Sequence, residues 1–266
     1  MVPPHKSVSK DELLRLNQAI AKTGYCSRRA ADELIAQGRV KLNGKVIKEF
    51  GALVSDKDKL AVDNKPIAVK SFTYVAMYKP FGIVTTCQDE HDRQTILDLL
   101  PANLSHLRPV GRLDLASEGL IVLTNDGELT QRLTHPSMHT DKFYVVTVKG
   151  AMQSQDYKLM ASGVELDDGR TKPATVRQLA KGKQGNVPTT TFELVISEGR
   201  NRQIRRMCEK LGYSVIRLVR TGIGALQLGK MTPGTWRYLT VKEINALNTE
   251  YGRSTSTNRS KTKNRS

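Results

Sequence analysis

The chain has 266 residues, with 42 Lys and Arg against 26 Asp and Glu, a formal net charge of +16 and a pI near 9.8. That length holds one large domain, or a small domain followed by a medium one. The charge points to nucleic acid or another anionic surface as partner and leaves the fold open. The opening MVPPHKSVSKDELL lacks the apolar core of a signal peptide, and no apolar run approaches membrane length, so a cytoplasmic protein without a membrane partner is expected. Cys26, Cys87 and Cys208 lie far apart and match neither a metal spacing nor a disulfide framework. They read as ordinary thiols of a reducing compartment.

Residues 1–10 read as a flexible lead. Over 11–23, Leu13, Leu16 and Ile20 recur at helical spacing and Gly24 is a natural stop. Ser27 is a good N-cap for a second helix ending before Gly38. Alternation at Val40 and Leu42, the Asn43-Gly44 turn and Val46-Ile47 predict a hairpin. A smaller hairpin is expected around Asp63-Asn64, between Leu60 and Ile67. Residues 11–70 thus form a compact α/β module. A larger unit over 73–248 opens with a strand at Tyr74–Tyr78. Strands are predicted at 119–124, 143–148, 174–179, 190–196, 214–219 and 235–239. Helices are predicted at 95–100, 128–134, 153–161, 201–211 and 241–248. Several strand pairs are too close for helical crossovers, so the fold class is α+β with a mixed, largely antiparallel sheet flanked by helices. The remainder, 249–266, is polar and basic and is expected to be disordered, adding non-specific RNA affinity.

The most informative stretch is Gly111-Arg112-Leu113-Asp114, followed by LASEGLIVLTNDGEL. It sets a carboxylate two residues after an arginine, at the mouth of an apolar strand in a basic protein. A carboxylate there opposes the binding of a polyanion and makes sense for chemistry on one. Without further context, a loop-capping aspartate is the ordinary reading.

Arg28 and Arg29 fall in the first turn of the second helix, where the helix dipole prefers anions. A phosphate bound at that end would offset the cost; two solvated arginines are the plainer alternative. Arg39, Lys41 and Lys45 follow in the hairpin and extend the basic patch. The S-R-R, G-R-V and V-x-x-N-G-K-V elements of SRRAADELIAQGRVKLNGKV resemble the S4-type RNA-binding domain.

In Glu198-Gly199-Arg200-Asn201-Arg202-Gln203-Ile204-Arg205-Arg206-Met207, a helix would carry Ile204, Met207, Cys208 and Leu211 on one stripe. Arg202 and Arg206 lie opposite it, open either to phosphate or to solvent. Arg205 borders the stripe, in reach of a partly buried carboxylate that a guanidinium would grip with two parallel bonds. In Lys142-Phe143-Tyr144-Val145-Val146-Thr147-Val148, alternation places Tyr144 with Val146 and Val148. Tyr144 is either a core tyrosine or a platform for an unpaired base. In Tyr78-Lys79-Pro80-Phe81-Gly82, the turn formed by Pro80 and Gly82 suffices as an explanation.

Taken together, YKPFG at 78–82, GRLD at 111–114 with SEGLIVLTNDG behind it, KFYVVTV at 142–148 and GRNRQIRRM at 199–207 resemble the bacterial pseudouridine synthases of the RsuA/RluB/RluE/RluF type, across nearly the whole chain. The resemblance implies a specific function: isomerisation of one uridine in ribosomal RNA to pseudouridine. It makes Asp114 the essential aspartate, Tyr144 the base-stacking tyrosine that can remove the C5 proton, and Arg205 the partner of the aspartate. It also gives Arg112 the space left by the flipped nucleotide and Ile204 a wall of the base pocket. Large-subunit RNA is favoured by GRNRQIRRMCEKLGY, while DDGRTKPATV is similar to the small-subunit enzyme. A monomer without DNA as partner is expected for this family. The reaction changes no oxidation state and needs no group donor, so no cofactor or metal is expected. A carboxylate can attack C1′, or take a proton from C2′ to give a glycal, and both routes stay open. A non-catalytic RNA-binding or ribosome-assembly factor on the same scaffold is the alternative.

Overall fold

A computed structural model of the chain describes residues 13–55, 57–68, 72–86 and 92–256. The expected flexible lead, Cys87 and the last ten residues lie outside the described residues. The chain divides into two compact units, with the boundary at Thr73/Tyr74 and a short piece, 125–127, assigned to the first.

The first unit runs β1 (Leu14–Arg15), α1 (Leu16–Lys22), α2 (Arg28–Ala36), β2 (Val40–Leu42), β3 (Lys45–Ile47), β4 (Leu53–Val54), β5 (Leu60–Val62) and β6 (Lys65–Ile67). Ser27 caps α2, its hydroxyl accepting from the Ala30 amide at 3.2 Å. An antiparallel sheet in the order β3-β2-β5-β6 is closed by two tight turns. Asn43-Gly44 and Asp63-Asn64 both sit at positive φ, which gives the turns the twist that flanking strands need. Leu16, Ile20, Ile35, Val40 and Val62 fill the core between helices and sheet. The β1–β4 pair was not foreseen, because two-residue strands carry no periodicity.

The second unit runs β7 (Tyr74–Lys79), β8 (Arg108–Pro109), β9 (Glu118–Thr124), α3 (Gly127–Thr134), β10 (Lys142–Lys149) and α4 (Ser154–Ser162). It continues with β11 (Glu165–Leu166), β12 (Gly169–Arg170), β13 (Thr175–Gln184), β14 (Val187–Ile196) and α5 (Gln203–Lys210). It ends with β15 (Ser214–Ile223), β16 (Leu226–Gln227), β17 (Trp236–Tyr238) and α6 (Val241–Ser256). The expected helix at 95–100 is a single 3-10 turn, Ile96–Leu99. The tail expected to be disordered from 249 is instead helical as far as Ser256. Thr240 and Glu243 cap α6 reciprocally, and a helix once nucleated propagates at little cost per residue.

The main sheet has the order β13-β14-β10-β15-β9-β7-β17 and is antiparallel except where β15 meets β9. Its central strands are buried on both faces. On β9, Ile121 and Leu123 face one core with Phe192, Leu194, Met207 and Cys208, while Leu120 and Val122 face the other with Leu129, Leu133 and Leu247. Thus α4 and α5 cover one face and α3 and α6 the other. This double burial explains the near-continuous apolar run in EGLIVLT.

At the parallel junction Val219 pairs with Glu118 and Arg220 with Gly119. Gly119 has φ +106, and a Cβ there would fall 2.3 Å from the Arg220 carbonyl oxygen. Only glycine lets these two backbones meet. Gly119→Ala is therefore expected to lower the unfolding free energy by about 3 kcal/mol or more. Gly185→Ala, in an open turn, should cost about 1 kcal/mol for its left-handed backbone alone. Equal losses in chemical denaturation would contradict the clash.

Candidate active site

A cleft of about 720 Å³ opens on the second unit. Its walls come from the Gly111–Asp114 segment before β9, the His135-Pro136 loop after α3, the start of β10, the Ile196–Arg202 loop, α5, and Leu218 and Arg220 on β15. The structure thus brings Arg112, Asp114, Tyr144, Arg202, Ile204 and Arg205 into one cavity although they are far apart in sequence.

Asp114 is half-buried and starts a tight turn, its carbonyl accepting from the Ser117 amide at 3.0 Å. Every neighbouring carbonyl is also engaged. The Thr85 hydroxyl donates to Leu113 O at 2.8 Å, and the Gly82 amide to Leu115 O at 2.9 Å. Arg205 Nη2 donates to Ala116 O at 2.7 Å. Lys79 Nζ donates to Ser117 O at 2.7 Å and to Pro80 O at 3.1 Å, with a longer contact to Leu115 O at 3.4 Å. Two buried cations therefore hold the main chain of the turn, and the carboxylate is left to face the cleft.

The expected two-bond grip of Arg205 on Asp114 is absent: Nη2 and, at 3.4 Å, Nη1 donate to the main-chain carbonyls of Ala116 and Val215, and Nε is buried without a hydrogen-bond partner. Its position at the edge of the apolar stripe is as expected: it is buried beside Ile204, Met207 and Cys208. Burial pushes the Arg205 guanidinium below its usual pKa, Arg202 adds to the shift, and the Asp114 charge opposes it. Arg205 and Asp114 therefore interact through space.

Tyr144 is buried on the cleft side of β10, paired with Leu194 on β14 and Arg220 on β15. A bulge between Phe143 and Tyr144 interrupts the pairing with β15 at this point, as bulges beside sites commonly do to re-aim a side chain. Ile204 is buried in the cleft wall and Arg112 is exposed at its mouth. Arg202, also exposed, caps α5 in the left-handed conformation at φ 46, ψ 30. Burial, reinforced by Arg220, lowers the pKa of Lys142 in the same cleft.

Other basic residues are committed elsewhere. Arg206 makes two bonds to Asp168, at 2.9 and 3.0 Å, so its fork is not free for phosphate. Arg39 is likewise paired with Asp63 on the first unit. Arg28, Arg29 and Lys45 are exposed and Lys41 is half-exposed, which leaves these four open to an anion.

Sequence reasoning missed several supports of the site. Lys79 is fully buried, and alternation with Val75 and Met77 would have placed it inward. Glu198, Arg200 and Gln203 brace the loop before α5. Gln203 Nε2 donates to Glu198 Oε1 at 2.6 Å, and Arg200 reaches Gly169 O at 2.8 Å and Arg170 O at 2.7 Å. Arg220 lies in the cleft floor. No group of three or more His, Cys, Asp or Glu able to hold a metal occurs among the described residues.

A basic cleft built around Asp114 defines an enzyme that acts on a polyanion. Residues 73–210 match the RNA pseudouridylate synthase family and residues 14–60 match the S4 domain. The chain is 39% identical to ribosomal large subunit pseudouridine synthase B of Bacillus subtilis, over 88% of this chain and 95% of that protein. It is 38% identical to the protein of the same description from Vibrio vulnificus, over 88% of this chain and 74% of the relative. A crystal structure of a pseudouridylate synthase superposes with a TM-score of 0.63 at 31% identity, covering 88% of this chain and 99% of that one. The chain belongs to the RNA pseudouridylate synthase family.

The buried Lys79 gives the site a pH signature. Burial lowers its pKa from 10.5 to about 8, against the favourable charges of Asp114 and Glu118. Between pH 8 and 10.5 the unfolded chain therefore binds more protons than the folded one, and stability due to this group rises with pH. Relative to Lys79→Met, the wild type is expected to gain about 3 kcal/mol of unfolding free energy between pH 7 and 10.5. Urea titrations across that window giving a constant difference would refute this.

Proposed function

We propose that this enzyme converts one uridine of ribosomal RNA to pseudouridine, with the large-subunit RNA as the favoured substrate. The observation that carries the reading is the placement of Asp114. The turn that carries it is fixed by Lys79, Arg205, Gly82 and Thr85, and the residue lines a cleft shared with Tyr144 and several cations. The large-subunit preference is supported by the descriptions of the Bacillus and Vibrio relatives.

The geometry suits the chemistry. A uridine leaves its stack at a cost of a few kcal/mol, offset by contacts in the cleft. Arg112 enters the space the uridine leaves, Arg202 at the rim meets phosphate, Tyr144 stacks on the base, and Ile204 walls the pocket. The N1–C1′ bond breaks while Asp114 either bonds to C1′ or removes the C2′ proton. The base turns, C5 bonds to C1′ as Asp114 leaves C1′ or returns the proton to C2′, N1 takes up a proton, and loss of the C5 proton, for which Tyr144 is the nearest candidate, restores aromaticity. We assign RNA anchoring to the S4 unit through Arg28, Arg29, Lys41 and Lys45. The same reading takes the enzyme as a cytoplasmic monomer with RNA rather than DNA as partner. No helix among the described residues is long and apolar enough to cross a membrane.

Unmodified ribosomal RNA carrying tritium at uridine C5 tests the activity. The wild type is expected to release tritium from large-subunit RNA, and Asp114→Asn to release none. No release by the wild type from either subunit's RNA would sink the proposal. Release from small-subunit RNA alone would move the target, and retained release by Asp114→Asn would remove the aspartate from the chemistry. Arg28→Glu with Arg29→Glu is expected to weaken RNA binding and to flatten its salt slope by up to about 2. Equal binding at low and high salt would remove the anchoring role.

A further inference from the structure

Arg220 is only 3% exposed, yet it lines the cleft. Its Nε donates to Leu120 O at 2.7 Å, and its Nη2 is buried without a hydrogen-bond partner. It shares the cleft with Lys142 and acts on both Lys142 and the buried Lys79, charges of like sign. A buried guanidinium with an unmet donor and cationic neighbours is costly, more so than the ~1–3 kcal/mol of a neutral unmet group. A donor left unmet beside a cleft calls for a partner, and a bound ligand supplies one.

The position of Arg220 indicates which part of a nucleotide that is. It pairs across the sheet with Tyr144, at the β10 bulge, and on its other side with Gly119, five residues after Asp114. It therefore sits in the floor beside the proposed base platform. The exposed Arg112 and Arg202 stand at the rim, where a backbone would pass. We propose that Arg220 is a catalytic residue whose guanidinium donates to a carbonyl oxygen of the target pyrimidine and holds the base as an anion while it is detached.

The inference rests on the pseudouridine synthase reading. When the N1–C1′ bond breaks, its electron pair leaves with the base and spreads from N1 onto O2 and O4. The sugar is compensated by a bond from Asp114 to C1′, or by loss of the C2′ proton. A cation aimed at a carbonyl oxygen favours this stage over the bound uridine, so it accelerates chemistry without adding much to binding. When C5 bonds to C1′ that electron pair forms the new bond, the C1′–Asp114 bond breaks or the C2′ proton returns, the C5 proton is lost and N1 takes up a proton.

The test uses the full-length enzyme, tritiated ribosomal RNA and two variants, Arg220→Gln and Arg220→Ala. Single-turnover release at saturating RNA, RNA affinity by filter binding and melting temperature are measured together. Arg220→Gln is expected to bind RNA within threefold of the wild type and to release tritium about 100-fold more slowly. Millimolar methylguanidinium is expected to restore at least tenfold of the loss in Arg220→Ala, whereas methylammonium at equal ionic strength does not. A folded Arg220→Gln with a wild-type rate overturns the inference and leaves the activity standing. Weakened RNA affinity with an unchanged saturated rate also overturns it, and assigns Arg220 to a phosphate. Should Arg220→Gln not fold, Arg220→Ala with its rescue decides, and absence of rescue counts against the proposal. Should the wild type release nothing, the activity and the inference fall together.

Discussion

The cleft depends on one constraint: the turn from Leu113 to Ser117 has every carbonyl engaged. A loop of five residues leading into a strand would ordinarily be the most mobile part of a site. Here Lys79 from β7 and Arg205 from α5 reach it from two sides, and Thr85 and Gly82 from a third. A buried cation is expensive to desolvate, and main-chain carbonyls are the partners that lower that cost without neutralising the charge. The turn gains rigidity, and Asp114 gains two positive charges in range without surrendering its oxygens to either.

The second organising feature is the parallel meeting of β15 and β9. An otherwise antiparallel sheet changes direction there, and the residues of the proposed chemistry gather around it. Asp114 precedes β9, Arg220 pairs with Gly119 across the junction, and Tyr144 pairs with Arg220 from the other side. Gly119 is what lets the strands approach, so a residue without a side chain sets the spacing of those that have them. Stability and function are coupled through the same few backbone contacts.

Much of this was legible in the residues. The turns at Asn43-Gly44 and Asp63-Asn64, the strands in EGLIVLT and KFYVVTV, and the apolar stripe of α5 follow from local pattern and appear where pattern puts them. Asp114, Tyr144 and Arg205 were recognisable as a set and do share a cleft. What local pattern does not carry is the partner of a charge. Arg206 and Arg39 looked free for phosphate, but Asp168 and Asp63 are brought to them only by the tertiary fold. Arg205 was assigned to a carboxylate and binds carbonyls, because the path of the 113–117 turn is set by contacts from three separate segments. Lys79 was legible and overlooked: the proline and glycine after it offered a sufficient account of the motif, while the period-two pattern before it pointed inward.

The freedom of the Asp114 carboxylate bears on both routes for the sugar. A carboxylate that attacks C1′ needs a lone pair aimed at carbon, and one that removes the C2′ proton needs a lone pair aimed at hydrogen. A two-bond grip by a guanidinium would occupy both oxygens and align them with the fork instead. No hydrogen bond or ion pair engages this carboxylate among the described residues, while its backbone is held on all sides. Fixing the residue through its main chain separates two demands that a direct ion pair would set against each other, orientation and reactivity. Arg205 and Lys79 hold the carbonyls of the turn and add positive charge near the carboxylate, while Arg220 is anchored to Leu120 O in the same cleft.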